Sequence, residues 1–392
     1  MTSIGIMKRL HEEVTFIYVE RPLDEPSVEE RLLREISRET FCPGHSPKVI
    51  VSENPAVVTI RMILERVDTP LSAISLDDTV FYSDNWLEPL RKGLKGEFGL
   101  VSPVCGDIFE VDMPYFSRLT FNDAAALMMK NYAGSYVRDS KIPPLAYLLR
   151  TETLLKLPPE TRLGEIPVLL KSALVPSSLV HRFGDYFAFR REDILPFVPH
   201  GVERVLDVGC AKGLMGEIIR RERGCKVFGA EINRKAARIA MDRLDEVFCV
   251  DIEKSDLPFA GDLDAVIFAD IIEHLFDPWS VLEKARRWLK PGGTVIASIP
   301  NTGHYSVILD LLRGRWDYLP FGHLCISHIR FFTRISIEDM FRKSGYSIVE
   351  MKPQDFPMRF KEQITIMLKR FIKIENVGDD IFNPGYYVVG RR

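Results

Sequence analysis

The stretch RVLDVGCAKGLMGEII, from Arg204 to Ile219, decides how this chain is read. Apolar Val205 and Leu206 lead into an acid, Asp207, and then Val208, before a loop of small residues. Leu214, Met215, Ile218 and Ile219 follow at helical spacing. A buried strand, a tight turn and a helix N-terminus in that order form a cradle. Free N–H groups at the helix start point at a ligand, and glycine lets the backbone come close to it. A dinucleotide site wants G-x-G-x-x-G, but counting from Gly209 the two later glycine positions hold Ala211 and Leu214. Asp207 would also repel a pyrophosphate, whereas it can orient a cationic amino-acid ligand, directly or through the loop amides.

Working outward, VFGAEIN places Glu231 at the end of the next strand, where a carboxylate can take both hydroxyls of a ribose. FCVDIE places Asp251 at the end of the third strand, within reach of an adenine amine. IFADIIEHL places Asp270 at the end of the fourth, and GTVIASIP is a fifth strand. Ligands of open α/β sheets sit outside the carboxyl ends of the strands, so these acids line one crevice.

VLDVGCAKG, GAEIN, VDIE and FADIIEHLFDPWSVLEKARRWLKPGGTVIASIPN together resemble the class I S-adenosylmethionine-dependent methyltransferases, of the ubiquinone-biosynthesis-like small-molecule group. The resemblance runs from about Phe187 to Arg392 and implies a Rossmann-like seven-stranded sheet, with YYVVGRR as its last strand. It implies that Asp207, Gly209, Cys210, Ala211 and Gly213 surround the methionine portion of the cofactor S-adenosyl-L-methionine. It likewise implies Glu231 with Ile232 at the ribose, Asp251 with Ile252 at the adenine, and Asp270 with Ile271 near the methionine amine. Ala211 departs from the pattern, since glycine is commoner there.

Methyl transfer from a sulfonium needs the acceptor aligned and, for a hydroxyl, its proton taken up. IPNTGHYS and GRWDYLPFGHLCISHIRFFT lie in the acceptor-facing half. The second resembles a subgroup in which an acid, a basic residue and a Thr precede HLRFFT; here Cys325, Ile326 and Ser327 stand in those places. His328 is the first candidate for a base or acceptor contact, against a structural histidine hydrogen-bonded under the lid; His304 is the second. His304, His323, Cys325 and His328 have no recognised metal-ligand spacing, so no metal is expected. His274 is read as beginning or capping a helix, and Trp279, Leu282, Ala285, Trp288 and Leu289 as core. The run from Phe356, FPMRFKEQITIMLKRFIKI, is amphipathic and is read as a helix over the acceptor pocket, with a membrane-surface role as the alternative.

The first half alternates strand and helix: VTFIYV from Val14, a helix after Ser27, KVIVS, AVVTIRMILERV, SAISL, DNWLEPLRKGLK and FGLVSPV. This rhythm predicts a largely parallel sheet. SAISLDDTVFYSDNWLEPL resembles the middle of family 2 glycosyltransferases, implying a GT-A-like fold that is truncated and perhaps without activity. Asp77 and Asp78 sit where such enzymes hold a divalent metal, but no Asp-x-Asp is present, so a turn or cap is preferred. Closely spaced prolines predict a linker over residues 147–185, between a glycosyltransferase-like domain at 1–146 and a methyltransferase domain at 186–392.

The totals agree with a two-domain α/β protein: 392 residues, 46% hydrophobic and 27% charged. A net charge of -3 offers no basic field for nucleic acid. The six cysteines lack a C-x-x-C pair, and neither a signal peptide nor a membrane-spanning run is evident, which predicts a soluble cytoplasmic protein. The expectation is a methyltransferase acting on an oxygen of a saccharide or other small acceptor. The alternatives are a bifunctional glycosyltransferase/methyltransferase and an assembly module that keeps both folds without turnover.

Overall fold

The computed structural model describes residues 13–21, 28–42, 46–52, 54, 57–76, 79–81, 86–94, 98–105, 137–138, 146–182, 189–319, 322–354, 366 and 378–392. Asp77, Asp78 and all of the Phe356 run except Ile366 lie outside them. The chain divides into two compact units, Met1–Gly184 and Asp185–Arg392.

The first unit carries β1 (Val14–Glu20), α1 (Val28–Phe41), β2 (Lys48–Val51), α2 (Ile60–Leu64), β3 (Leu71–Leu76), β4 (Thr79–Phe81), α3 (Leu87–Leu94) and β5 (Leu100–Cys105). It continues with β6 (Val137–Arg138), β7 (Ala146–Arg150), α4 (Thr151–Leu154), α5 (Ile166–Leu169) and β8 (Ser172–Arg182). The eight-stranded sheet has the order β2-β1-β3-β7-β5-β8-β4, with β6 against β8. Two expectations are corrected here. The sheet is mixed: β1 runs parallel to β2 and β3, but β7 is antiparallel to both β3 and β5. Residues 147–185 are not a linker, because 147–150 and 172–182 form β7 and β8. Of the prolines that suggested a linker, Pro158 accepts the Thr161 amide in a turn and Pro167 falls in the first turn of α5, while Pro176 lies within β8, where the register against β5 skips from Val175 to Leu179. The apolar run Ala146–Leu149 is fully buried, as an inner strand requires.

The second unit carries β9 (Arg204–Val208), α6 (Leu214–Arg223), β10 (Lys226–Glu231), α7 (Arg234–Ala240), β11 (Glu246–Cys249) and β12 (Leu263–Ala269). It is completed by α8 (Pro278–Trp288), β13 (Leu289–Pro300), α9 (Tyr305–Leu312), α10 (Arg334–Lys343), β14 (Ser347–Pro353) and β15 (Gly385–Arg391). Seven strands follow the order β11-β10-β9-β12-β13-β15-β14. All pairings are parallel except those of β15, which lies antiparallel between β13 and β14. The strand order reverses between β9 and β12, and their carboxyl ends open the crevice there. One core cluster joins Phe268, Leu282, Trp288, Phe341 and Tyr386. Leu282, Ala285, Trp288 and Leu289 are buried as expected; Trp279 is not, being 38% exposed at the start of α8. No described helix is long and apolar enough to cross a membrane.

Candidate functional site

The loop after β9 is shaped by three residues in the left-handed region: Gly209 (φ +72°), Ala211 (+49°) and Gly213 (+78°). A Cβ on Gly209 would lie 2.0 Å from Ile271 Cδ1, so only glycine lets the loop close against the segment after β12. Ala211 adopts the same conformation with a side chain, at a strain of roughly 1 kcal/mol. The loop amides are committed within the protein. Gly209 N and Cys210 N donate to Ala230 O at 2.7 and 3.2 Å, and Gly213 N donates to Cys210 O at 2.8 Å. Ala211 N donates to Glu231 Oε2 at 2.9 Å.

Asp207 is buried at the end of β9, and neither carboxylate oxygen has a hydrogen-bond partner. Burial, reinforced by the Glu231 charge, raises its pKa to about 8, with Arg191 opposing. Glu231 ends β10 and is also buried, but Asn233 N donates to its Oε1 at 2.7 Å while Ala211 N serves Oε2. Its carboxyl is raised by burial and partly restored by these amides. Ile232 beside it is 67% exposed. Asp251 follows β11 and is held at low pKa by a hydrogen bond from Lys254, 2.8 Å away. Ile252 belongs to the hydrophobic core.

Asp270 follows β12 with φ +53°. Ser298 Oγ donates to its Oδ1 at 2.7 Å, and an Arg191 Nη1 hydrogen bond reaches its Oδ2. Arg191, itself at φ +45°, also engages Asp193 through Nε at 3.1 Å and Nη2 at 2.9 Å. Sequence reasoning missed Arg191. It lies 16 residues before Asp207 in a segment without periodicity, and only the fold brings it to the strand ends. Ile271 lines the loop, as the Gly209 contact shows.

At the acceptor-facing end the structure separates the candidate histidines. His304 is the N-cap of α9: its Nδ1 lies 2.8 Å from Ser306 Oγ and its ring stacks on His323 at 5.1 Å. It is 1% exposed, and burial, with His323 beside it, holds it neutral. This places His304 as a cap and core residue rather than as an acceptor contact. His328 Nδ1 donates to His323 O at 3.0 Å, which leaves Nε2 as the lone-pair nitrogen, 3.8 Å from Glu273 Oε1. Burial first, then His274, lowers its pKa to about 4. Glu273 is buried with no hydrogen bond to either oxygen, and burial, then Asp270, pushes its carboxyl well above the usual range. His274 does not begin a helix; it ends the 3-10 turn Ile272–His274, half-buried, with its ring edge-on to His328 at 4.7 Å. Glu273, His274 and His328 bring one ligand atom each within 4.8 Å of one another, a set that could hold a divalent cation. Cys325 stands where the resembled subgroup has an acid, and the carboxylate near His328 is instead Glu273, at 3.8 Å and without a hydrogen bond to it. The Glu273 carbonyl accepts the Ile329 and Arg330 amides, both at 3.0 Å, and so docks the His328 segment onto the turn after Asp270.

Residues 173–351 match a family described as a methyltransferase domain. The second unit is a class I S-adenosylmethionine-dependent methyltransferase domain. The chain is 31% identical over 160 residues to the ubiquinone biosynthesis O-methyltransferase of Cereibacter sphaeroides, covering 39% of this chain and 64% of that one. It is 29% identical over 154 residues to the protein of the same name from Chromobacterium violaceum, covering 37% and 65%. The chain therefore spans less than two thirds of these relatives. A solved S-adenosylmethionine-dependent methyltransferase from Archaeoglobus fulgidus aligns over 51% of this chain and 91% of its own at 18% identity, with a TM-score of 0.38.

The methyltransferase domain fits its cofactor on its own geometry. Asp207 is buried beside the loop with neither oxygen hydrogen-bonded among the described residues, a carboxylate that lacks a donor. Around it stand carboxylates for a ribose and an ammonium, and a guanidinium for a carboxylate.

Proposed function

We propose that this chain transfers a methyl group from S-adenosylmethionine to a hydroxyl of a small-molecule acceptor. The observation that supports this best is the convergence of Asp207, Glu231, Asp270 and Arg191 at the carboxyl ends of β9, β10 and β12. When bound, the sulfonium supplies an activated methyl electrophile. The chain's part is to grip and align. In this reading Arg191 holds the methionine carboxylate, Asp207 and Asp270 face the ammonium, Glu231 takes the ribose hydroxyls, and Asp251 meets the adenine amine. Cys210, Ala211 and Gly213 form the loop floor, with Ile232 and Ile271 as apolar walls. His274, the half-buried ring, meets the acceptor hydroxyl and takes its proton, with His328 and Glu273 behind it.

A second reading of that cluster is a divalent cation on Glu273, His274 and His328 that binds the acceptor oxygen. It is favoured by the His328 Nδ1 bond to a carbonyl, which aims a bare Nε2 at Glu273 as metal-bound imidazoles are aimed. A saccharide acceptor and a GT-A-like first unit stay part of the proposal without support from the relatives. So do the bifunctional enzyme, the assembly module and a cytoplasmic location. The three parallel strands β2-β1-β3 are compatible with a nucleotide-binding half but do not specify one.

The test is calorimetric titration of S-adenosylmethionine, with NADH as control, into the wild type and Glu231→Ala. Micromolar binding, about -8 kcal/mol, that weakens at least tenfold in the variant supports the reading. A folded wild type without heat favours the assembly module. Acceptors are then screened by S-adenosylhomocysteine release, starting with free saccharides.

A further inference from the structure

We propose that cofactor uptake is proton-linked, Asp207 giving up one proton to solvent as the ammonium of S-adenosylmethionine arrives. This rests on the cofactor reading above and adds to it how the site is regulated. The argument starts from hydrogen-bond supply. Two carboxylates, Asp207 and Glu231, meet at the cofactor loop, and both are buried. Glu231 receives two backbone amides, from Ala211 and Asn233. Among the described residues Asp207 receives none, because the amides of Gly209, Cys210, Ala211 and Gly213 are directed to Ala230, Glu231 and Cys210. A desolvated carboxylate with no donor and a second carboxylate nearby favours its neutral form.

The other charged or titratable groups facing Asp207 do not relieve it. Arg191 lowers its pKa, but that guanidinium is already engaged by Asp193 and Asp270. The Cys210 thiol is raised by burial and then by Asp207 and Glu231, so it carries no charge. The Asp207 pKa near 8 agrees with this geometry. An arriving ammonium supplies both the missing donor and a positive charge, and it favours the carboxylate. The exchange balances: one O–H bond at Asp207 breaks, the proton leaves to buffer, and a charge-assisted contact replaces it.

Below the free-protein pKa, binding therefore tightens with pH, by about tenfold per unit for one released proton. The experiment is titration of S-adenosylmethionine into the full chain between pH 5.5 and 7.0, in two buffers of different ionisation enthalpy. That window lies below the range of about 7.7–8.0 where a free α-amino group titrates. Expected are a Kd falling about tenfold per unit, roughly one proton released, and loss of both in the isosteric Asp207→Asn. A flat Kd with buffer-independent heat in the wild type overturns the proposal without any variant. A slope that persists in Asp207→Asn also overturns it, because another group would then carry the proton. Absence of binding heat at every pH removes the cofactor reading and this inference together, a result distinct from binding without linkage.

Discussion

Arg191 and Asp270, 79 residues apart, bond to each other from two left-handed backbone positions, φ +45° and +53°. Aspartate tolerates that conformation better than most side chains, but at Arg191 it costs about 1 kcal/mol or more, so the surrounding structure enforces it there. The guanidinium is held between Asp270 and Asp193, and the proposed function has it meet the methionine carboxylate there.

Arg191→Ala should therefore weaken S-adenosylmethionine by about ten- to a hundredfold, the worth of a charge-assisted bond of about 1.5–3 kcal/mol. Arg191→Lys should recover little, because lysine lacks the planar fork that engages Asp193 and Asp270 together. Calorimetry reads the loss, and an unchanged far-UV circular dichroism spectrum shows the fold intact.

Gly209→Ala should abolish cofactor binding and lower the melting temperature. The added Cβ meets Ile271 Cδ1 at 2.0 Å in a backbone region unfavourable to side chains. Gly209→Ala with Ile271→Ala should regain part of the stability, since the second change removes the clash but not the φ strain. Thermal melts of the wild type and the two variants check this.

The contribution of Asp207 to the stability of the ligand-free protein should fall as pH rises from about 4 to 8. Asp207 has its pKa raised on folding, from 3.8 to about 8, so between those values the folded chain holds a proton that the unfolded chain has released. Its contribution then declines with pH, by up to about 1.4 kcal/mol per unit, and is constant outside the window. Asp207→Asn should flatten that slope, as urea melts at pH 5 and pH 8 would show.

Manganese titration should reveal one site that Glu273→Gln removes, if the cluster with His274 and His328 holds a cation. Chelator should then suppress methyl transfer. If no heat is seen and chelator has no effect, proton uptake by His274 stands as the chemistry there.

His304→Ala should destabilise the fold by about 1 kcal/mol or more, through loss of the α9 cap and of stacking on His323. The cofactor Kd should not change. A selective loss of turnover in a stable variant would return His304 to the acceptor site.

The positions of the acids were legible in the sequence because each lies at or just after the end of a strand, and apolar runs mark strands well. Asp207, Glu231 and Asp270 lie where those runs predict, and the seven-stranded sheet follows from the same pattern. The acceptor end was less legible. Glu273 lies two residues after the predicted site residue Ile271, yet His328 is 55 residues further on, and the carbonyl bonds to Ile329 and Arg330, with the His274–His328 ring contact, hold the two segments together. His304 looked reactive because a histidine after a strand resembles a base; that it caps a helix depends on where α9 begins. In the first unit, β7 and β8 were hidden by prolines in their connections and, at Pro176, within β8 itself. The parallel rhythm of β1, β2 and β3 did not foretell an antiparallel β7 returning between β3 and β5.

The carbonyl of Glu273 has one further consequence, for anyone exchanging the acceptor segment between relatives. Two successive amides, of Ile329 and Arg330, hang from that single oxygen. A foreign segment can vary in length and side chains, but it must present two adjacent N–H groups at this point. A proline at either position would unhook the graft, leaving the donor half loaded and the acceptor half unaligned with it.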